Sequence, residues 1–177
     1  MPNAIHLAAY QARRLSEKGT LLLVRPVLPN PPPWADNPVR SEKYYVWQEP
    51  APFRRGIERV CPWREGETVL CKMADWPTQP SAIVRELGTI RVTDIPGADA
   101  EAMGLDLARH LPAFPSPSLS DEELARLVDI YGKYEIAAWW NKRYAREAGT
   151  YDSAPWAWWT MVERMTTQEG EDNDAAT

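Results

Sequence analysis

Apolar and polar positions along the chain predict short strands separated by helices and turns. Over residues 4–18 apolar side chains recur at helical spacing, and Gly19 directly after them is a typical helix stop. The next stretch, 20–28, is apolar on both faces until Pro26, which predicts a strand at the edge of a sheet. Prolines crowd residues 29–38 and predict an extended loop. The N-terminal part is therefore expected to run helix, edge strand and loop.

The middle of the chain has the period-two alternation that is typical of strands. Aromatic and polar residues alternate over 43–48, and a turn at 61–67 leads into a short apolar stretch at 68–73. Residues 82–95 are rich in β-branched side chains, which favours either a pair of strands or one strand bent at Gly88. Short strands are therefore expected to dominate this part of the sequence.

The C-terminal part combines helical spacing with one more strand. Residues 98–109 predict a short helix, and a capping box at 120–123 opens a further helix, which Gly132 is expected to end or kink. Another helix is predicted over 136–146, where aromatic side chains recur at helical spacing. The tryptophan-rich stretch 155–165 predicts the last strand.

This order of elements indicates an α+β fold. Strands and helices do not alternate regularly and no repeat is visible, so doubly wound folds, solenoids and propellers are disfavoured. We expect a mixed or antiparallel sheet, curled into a small barrel with helices inserted between its strands. The length fits one domain over residues 1–165, followed by an acidic tail over 166–177 that is expected to be disordered.

Composition and charge limit the class of ligand. The chain has 9 tryptophans but 2 phenylalanines, so indole rings are expected to supply much of the buried area. Residues 1–60 hold nine basic and five acidic side chains, whereas residues 121–177 hold six basic and twelve acidic ones. A protein that covers many phosphates needs a strongly basic surface, so this chain is expected to hold at most a short segment or a single nucleotide.

Cysteine and histidine positions argue against a disulfide framework and a metal site. Cys61 and Cys71 allow one pairing at most, and reduced thiols in a cytoplasmic protein are the better interpretation. The two histidines, His6 and His110, stand apart, so we predict no metal and no cofactor. No apolar run approaches the roughly 18 residues of a membrane span, and no signal pattern is present, so we expect a cytoplasmic protein without a membrane partner.

Three segments share their order and spacing with a known family. The first, 61–76, is a Cys-Pro-aromatic turn followed by a strand and a closing tryptophan, and the second, 90–104, is a strand followed by a short helix. The third joins 136–140 to the Tyr-Asp-Ser-Ala-Pro-Trp-Ala-Trp sequence of 151–158. Together they resemble the ASCH-type domain, of the PUA-like superfamily, in phage- and prophage-encoded proteins. The resemblance covers most of residues 61–165 and implies a PUA-like barrel with one ligand cleft.

The family's sequence motif is degenerate in this chain. ASCH domains usually carry Gly-x-Lys-x-x-Thr-x-Arg after the first helix, and the best register sets these positions against Lys18, Thr20, Leu23 and Arg25, of which only the arginine matches. An Arg-Glu pair of the family falls on Met73 and Ala74. If the amidohydrolase activity of some ASCH proteins needs Lys, Thr and Glu, the constellation is lost here. Gly-rich phosphate loops and common hydrolase motifs are also missing, so the chain is expected to lack catalytic activity.

The resemblance and the charge pattern together nominate a set of binding residues. Cations and hydrogen-bonding groups near the first strand and tryptophans around the Cys-Pro turn are expected to line the cleft: Arg25, Lys18, Thr20, Arg13, Trp63 and Trp76. Trp156 and Trp159 are candidates for base stacking, with core packing as the competing interpretation. For Trp63 and Trp76 pocket and core interpretations are equally favoured, and the basic side chains around Arg25 also fit a solvated face.

Two functional hypotheses of different classes follow. In the first, a phage or prophage accessory protein binds RNA, DNA or a modified nucleotide in the cleft without turning it over. In the second, the fold is reused as an inhibitor that binds a host defence complex, in the manner of anti-restriction or anti-CRISPR proteins. The acidic 121–177 region favours the second hypothesis, because an acidic face can occupy the nucleic-acid groove of a partner.

Overall fold

A five-stranded sheet covered on both faces organises the protein. The computed structural model describes residues 3–32, 34–41, 44–48, 56–73, 79–108 and 119–165. Its strands and helices are β1 Ala4–His6, α1 Ala9–Lys18, β2 Thr20–Pro26, β3 Val39–Ser41, β4 Tyr44–Gln48, β5 Gly56–Val60, β6 Thr68–Lys72, β7 Ser81–Arg91, α2 Asp121–Ala148 and β8 Trp156–Arg164. Short 3₁₀ turns lie at Val92–Asp94, Gly97–Ala100 and Tyr151–Ser153.

The strands form two sheets and confirm the α+β class. The larger sheet has the order β1-β6-β7-β8-β2, in which β1 runs parallel to β6 and the other neighbours are antiparallel. The smaller sheet, β3-β4-β5, is antiparallel. The described strands do not close into the predicted barrel, because β1 and β2 remain the two edges of the larger sheet. A side chain joins these edges, since Nη2 of Arg25 donates to the carbonyl oxygen of His6 at 2.7 Å.

One face of the larger sheet packs against the smaller sheet through aromatic rings. Trp156 and Trp158 of β8 point to this face, because successive strand residues alternate between faces. The ring of Trp47, on β4, lies 5.7 Å from that of Trp156 and 6.0 Å from that of Trp158, and Tyr45 lies 5.0 Å from Trp158. Trp47 is 0% exposed. These contacts agree with the expectation that indoles supply much of the buried area.

The opposite face is covered by the 92–107 segment and by α2. This helix runs without interruption from Asp121 to Ala148, so the expectation that Gly132 could end it and that a separate helix follows is wrong. Gly132 instead lies against backbone, since a Cβ added there would come 1.9 Å from the carbonyl oxygen of Gly97. The predicted capping box is confirmed, because Ser120 accepts from the Glu123 amide and Glu123 accepts from the Ser120 amide at 2.8 Å.

Three other elements differ from their prediction. Residues 4–6 form a strand instead of the start of the first helix, because they pair with β6, and α1 begins only at Ala9. The predicted helix at 98–109 is reduced to one 3₁₀ turn followed by further turns, since Gly104 has a φ of +82° that ends any helical path. β7 is one strand, and its irregularity lies between Val84 and Glu86 and not at Gly88.

Two further findings concern membrane-spanning helices and metal sites. Among the described residues no helix is both long and apolar enough to cross a membrane. In the same part of the chain no three His, Cys, Asp or Glu side chains group closely enough to hold a metal ion. The predicted tail at 166–177 lies outside the described residues.

Candidate ligand-binding cavity

A cavity of about 850 Å³ opens where the smaller sheet meets the Cys-Pro turn. Its wall includes Arg40, Tyr44, Tyr45, Cys61, Trp63 and Arg64. Sites for small molecules and cofactors occupy roughly 300–1,000 Å³, so this volume suits a ligand the size of a nucleotide. We refer to it as the Trp63 cavity.

The Cys-Pro turn is held in place from both sides. Glu67 accepts from the Arg64 amide at 3.0 Å and from the Asn3 side chain at 2.5 Å, which ties the turn to the N-terminal residues. Gly66 has a φ of +76° and donates its amide to Val84 of β7 at 2.8 Å. A turn with these fixed points presents its side chains to the cavity at a defined position.

Aromatic side chains supply much of the wall. Tyr44 is 43% exposed, whereas Tyr45, its neighbour on the other face of β4, is 6% exposed. Trp63 is 9% exposed and also belongs to the buried cluster around Trp156, so it serves both the cavity and the core. Tyr44 is therefore the aromatic ring of the cavity most accessible to a ligand.

The hydroxyl of Tyr45 is buried and has no hydrogen-bond partner. Burial raises the pKa of Tyr45, while the nearby positive charge of Arg40 acts in the lowering direction. The guanidinium carbon of Arg40 lies 6.0 Å from the centre of the Tyr45 ring. A buried hydroxyl without a hydrogen-bond partner is uncommon in proteins. The Tyr45 hydroxyl is therefore an unsatisfied polar group beside the cavity.

Most of the charges in the cavity wall are already paired. Arg40 donates to Glu65 at 2.9 Å, and this bond lowers the pKa of Glu65 and raises the pKa of Arg40. Glu67 is held by the two bonds to the turn and to Asn3. Arg64 is exposed and forms no ion pair within the part of the chain that the structure describes. One unpaired cation, Arg64, is therefore available to an anionic group.

No protein-family model matches this chain, and neither does any curated protein or solved structure. The resemblance to ASCH-type domains therefore stays a prediction.

Arg25 lies outside the wall of the Trp63 cavity. Its Nη1 donates to the Tyr144 hydroxyl of α2 at 3.0 Å, and its Nη2 donates to the His6 carbonyl oxygen of β1. The side chain is half-buried between these elements. Its contacts join two strands and a helix.

The other polar residues that were predicted to bind ligand, near β2, lie apart from the Trp63 cavity. Arg13 and Lys18 line a separate depression of about 260 Å³ beside α1. Arg13 is 78% exposed and pairs with Glu17 at 3.4 Å. Thr20, at the start of β2, is exposed.

The predicted tryptophans are also distributed over different surroundings. Trp156 is 2% exposed, and the guanidinium carbon of Arg91 lies 4.5 Å from the centre of its ring, so this ring is not open to a base. Trp159 lines a third cavity on the opposite face of the larger sheet. Trp76 lies outside the described residues. Of the predicted site, the structure brings Trp63 to the largest of the cavities described here.

Sequence reasoning missed most of the residues that line the Trp63 cavity, among them Arg40, Tyr44, Tyr45 and Arg64. The alternating stretch 43–48 predicts a strand with tyrosines on both faces, but it does not indicate which loop that strand meets. Arg64 follows Trp63 directly in the turn. This adjacency is the one feature of the sequence that could have indicated Arg64 as a cavity residue.

The chemistry available at the Trp63 cavity follows from the groups in and beside its wall. The thiols of Cys61 and Cys71 are poor nucleophiles, because burial raises the pKa of both, that of Cys71 to about 11. Aromatic rings, one unsatisfied hydroxyl and one unpaired guanidinium can stack, hydrogen-bond and neutralise charge.

Proposed function

We propose that this protein binds a single nucleotide, or one nucleotide of a short single strand, in the Trp63 cavity without chemical turnover. The observation that carries the proposal is the meeting, in one nucleotide-sized cavity, of an exposed tyrosine ring and an unpaired arginine. The resemblance to ASCH-type, PUA-like domains supports the same class of ligand. On that resemblance we place the protein among phage or prophage accessory proteins that act in the host cytoplasm.

Stacking supplies the first part of the binding energy. Each base stacked on an aromatic side chain contributes about 1–3 kcal/mol in single-strand binders. Tyr44 is the ring with sufficient exposure for such a contact, and it borders the cavity. We therefore assign base stacking to Tyr44, with the edge of Trp63 as part of the same wall.

Hydrogen bonding supplies orientation. The Tyr45 hydroxyl is closed to solvent, so this contact requires that ligand binding uncovers it. An unsatisfied buried polar group costs about 1–3 kcal/mol, which a ligand acceptor then recovers. Apolar ligands of the same size do not offer that acceptor. The hydroxyl therefore favours a ligand with a polar edge, such as a nucleobase.

Charge limits the number of phosphates. Arg40 is occupied by Glu65, and two carboxylates border the cavity, so Arg64 is the cation left for a phosphate. With one phosphate neutralised on a single strand, raising the salt concentration about fourfold should weaken binding only about threefold. A binder that covers many phosphates would show a far steeper dependence.

Calorimetric titration with nucleoside monophosphates and short RNA and DNA oligonucleotides tests the proposal. Tyr44→Ala should reduce affinity at least about fivefold because it removes the stacking surface, whereas Tyr44→Phe retains the ring and should retain binding. Arg64→Ala should remove the salt dependence, while Arg13→Ala, which changes another exposed arginine outside this cavity, should not. Absence of binding at low salt, or equal affinity of the Tyr44→Ala and Tyr44→Phe variants, would contradict the proposal.

The inhibitor hypothesis has one structural observation in its favour. The first six side chains of α2, residues 121–126, are all exposed, and three of them are acidic. Charge reversal is best made at Glu122, because changing Glu123 would also remove the hydrogen bonds that cap the helix. Affinity purification from host lysate with and without nuclease separates the hypotheses. A stoichiometric protein partner that survives nuclease and is lost with Glu122→Lys would favour the inhibitor over the nucleotide binder.

A further inference from the structure

The cavity that Trp159 lines, of about 290 Å³, lies on the α2 side of the larger sheet, opposite the Trp63 cavity. Its wall is mostly aliphatic and comes from β2, β7 and β8, with contributions from Leu22, Val24, Ile90 and Met161. Ile95, Trp159 and Asp99 complete it. Asp99 is the only ionisable group among the described residues that line this cavity.

The carboxylate of Asp99 has no countercharge among the residues that the structure describes. It forms no ion pair and no side-chain hydrogen bond within the described ranges, although its backbone amide and carbonyl are both bonded in the 3₁₀ turn. Burial alone raises the pKa of Asp99. Asp99 is half-buried, so ionising its carboxylate beside an aliphatic wall carries a partial desolvation cost that a bound cation would offset.

Trp159 provides a surface that favours cations. Its indole packs against β7 so closely that a Cβ added to Gly88 would lie 2.6 Å from Nε1, which fixes the position of the ring. The face of an indole carries partial negative charge and attracts ammonium groups, more strongly where water is excluded. Trp159 and Asp99 therefore favour the same type of charge within one small cavity.

We propose that this cavity binds a small alkylammonium ligand, with the ammonium group at Asp99 and Trp159 and the alkyl chain against the aliphatic wall. The aliphatic wall rejects a bare inorganic cation, because such an ion keeps its hydration shell and gains no contact there. Anionic ligands are repelled by Asp99. This site is separate from the Trp63 cavity, so its test is independent of the test of the proposed function.

Titration calorimetry with n-butylammonium, 1-butanol and butyrate tests the assignment on the full chain. We expect the amine to bind at least about tenfold more tightly than the alcohol, since only the amine pairs with the carboxylate, and we expect no binding of butyrate. Asp99→Asn should reduce the affinity for the amine to that for the alcohol. Asp94→Asn, a change of an exposed aspartate outside the cavity, should leave the preference intact.

The wild-type protein alone can overturn the proposal, so a variant that fails to fold does not leave it undecided. Equal affinity for amine and alcohol, or no binding of the amine at millimolar concentration, would overturn it. Retention of the amine preference in a folded Asp99→Asn variant would do so too. Trp159→Leu should weaken the amine more than the alcohol, because leucine keeps the apolar contact but removes the indole face.

Discussion

At the scale of single residues, Arg25 shows how a side chain expected to bind ligand is used by the fold. Its two donor bonds, to the Tyr144 hydroxyl and the His6 carbonyl, connect α2 and β1 to β2. The sequence indicates the cation and its position after the first helix. It does not indicate that a tyrosine more than a hundred residues further along provides the acceptor.

Arg25→Ala should therefore lower stability without altering ligand affinity in the Trp63 cavity. Hydrogen bonds to charged groups contribute about 1.5–3 kcal/mol each, and the partial exposure of Arg25 reduces this, so we expect a loss of about 1–3 kcal/mol. Urea unfolding measures the change, with Arg13→Ala as the control that should remain within about 0.5 kcal/mol. Unchanged stability with lost nucleotide affinity would show instead that Arg25 contacts the ligand.

Asp99 gives stability a defined dependence on pH. Its pKa is raised in the folded state, so the native protein binds its proton more tightly than the unfolded chain does. The stabilising effect of this protonation is present below the ordinary aspartate pKa and is lost as the pH rises through the raised value. Relative to wild type, Asp99→Asn should therefore be more stable at neutral pH.

Thermal unfolding across the pH range measures this difference. The advantage of Asp99→Asn should shrink as the pH falls from the raised value towards the ordinary value of 3.8, and it should be absent below that value. A variant that is less stable than wild type at neutral pH would show that the ionised carboxylate has a stabilising partner.

At the scale of elements, the long helix α2 depends on one close approach between two backbones. Its capping box is local in sequence and was predictable. The need for a glycine at position 132 was not predictable. It comes from the carbonyl of Gly97, which approaches this position only in the folded chain. The same applies to β1, whose three residues fit a helical pattern locally and become a strand by pairing with β6.

Gly132→Ala should destabilise the protein although alanine favours helices. Helix propensity alone predicts a gain of about 1 kcal/mol, but the added methyl group would overlap the Gly97 carbonyl at 1.9 Å. Forced overpacking costs about 1–3 kcal/mol or more, so the net change should be a loss. Chemical denaturation gives the value, and a rise in stability would show that the two backbones separate freely.

At the scale of the whole molecule, the aromatic cluster joins the two sheets. Trp47→Ala should cost about 3–5 kcal/mol, because the indole is fully buried between Trp156 and Trp158. Trp34→Ala is the matched control, since that indole is 53% exposed and should change stability little. Similar losses in both variants would mean that the sheets are held together by other contacts.

The sequence predicted the class of fold and the turn that carries Trp63. It did not predict which other residues line the Trp63 cavity. Trp63 and its turn are contiguous and could be recognised, whereas Tyr44 and Arg40 reach the cavity through the pairing of β3 with β4. The barrel prediction failed for a related reason. Whether sheet edges meet depends on strand pairing over long distances, which local alternation does not encode.

The walls of the Trp63 cavity come from both sheets, since Tyr44 belongs to the smaller sheet and Leu87 to the larger. A ligand seated there touches two units that are otherwise connected mainly through the aromatic cluster. Local opening of the three-stranded unit should then become rarer when the cavity is occupied. The backbone amides of β4 would exchange their hydrogens with solvent more slowly in the bound protein, while those of α2 would keep their rate.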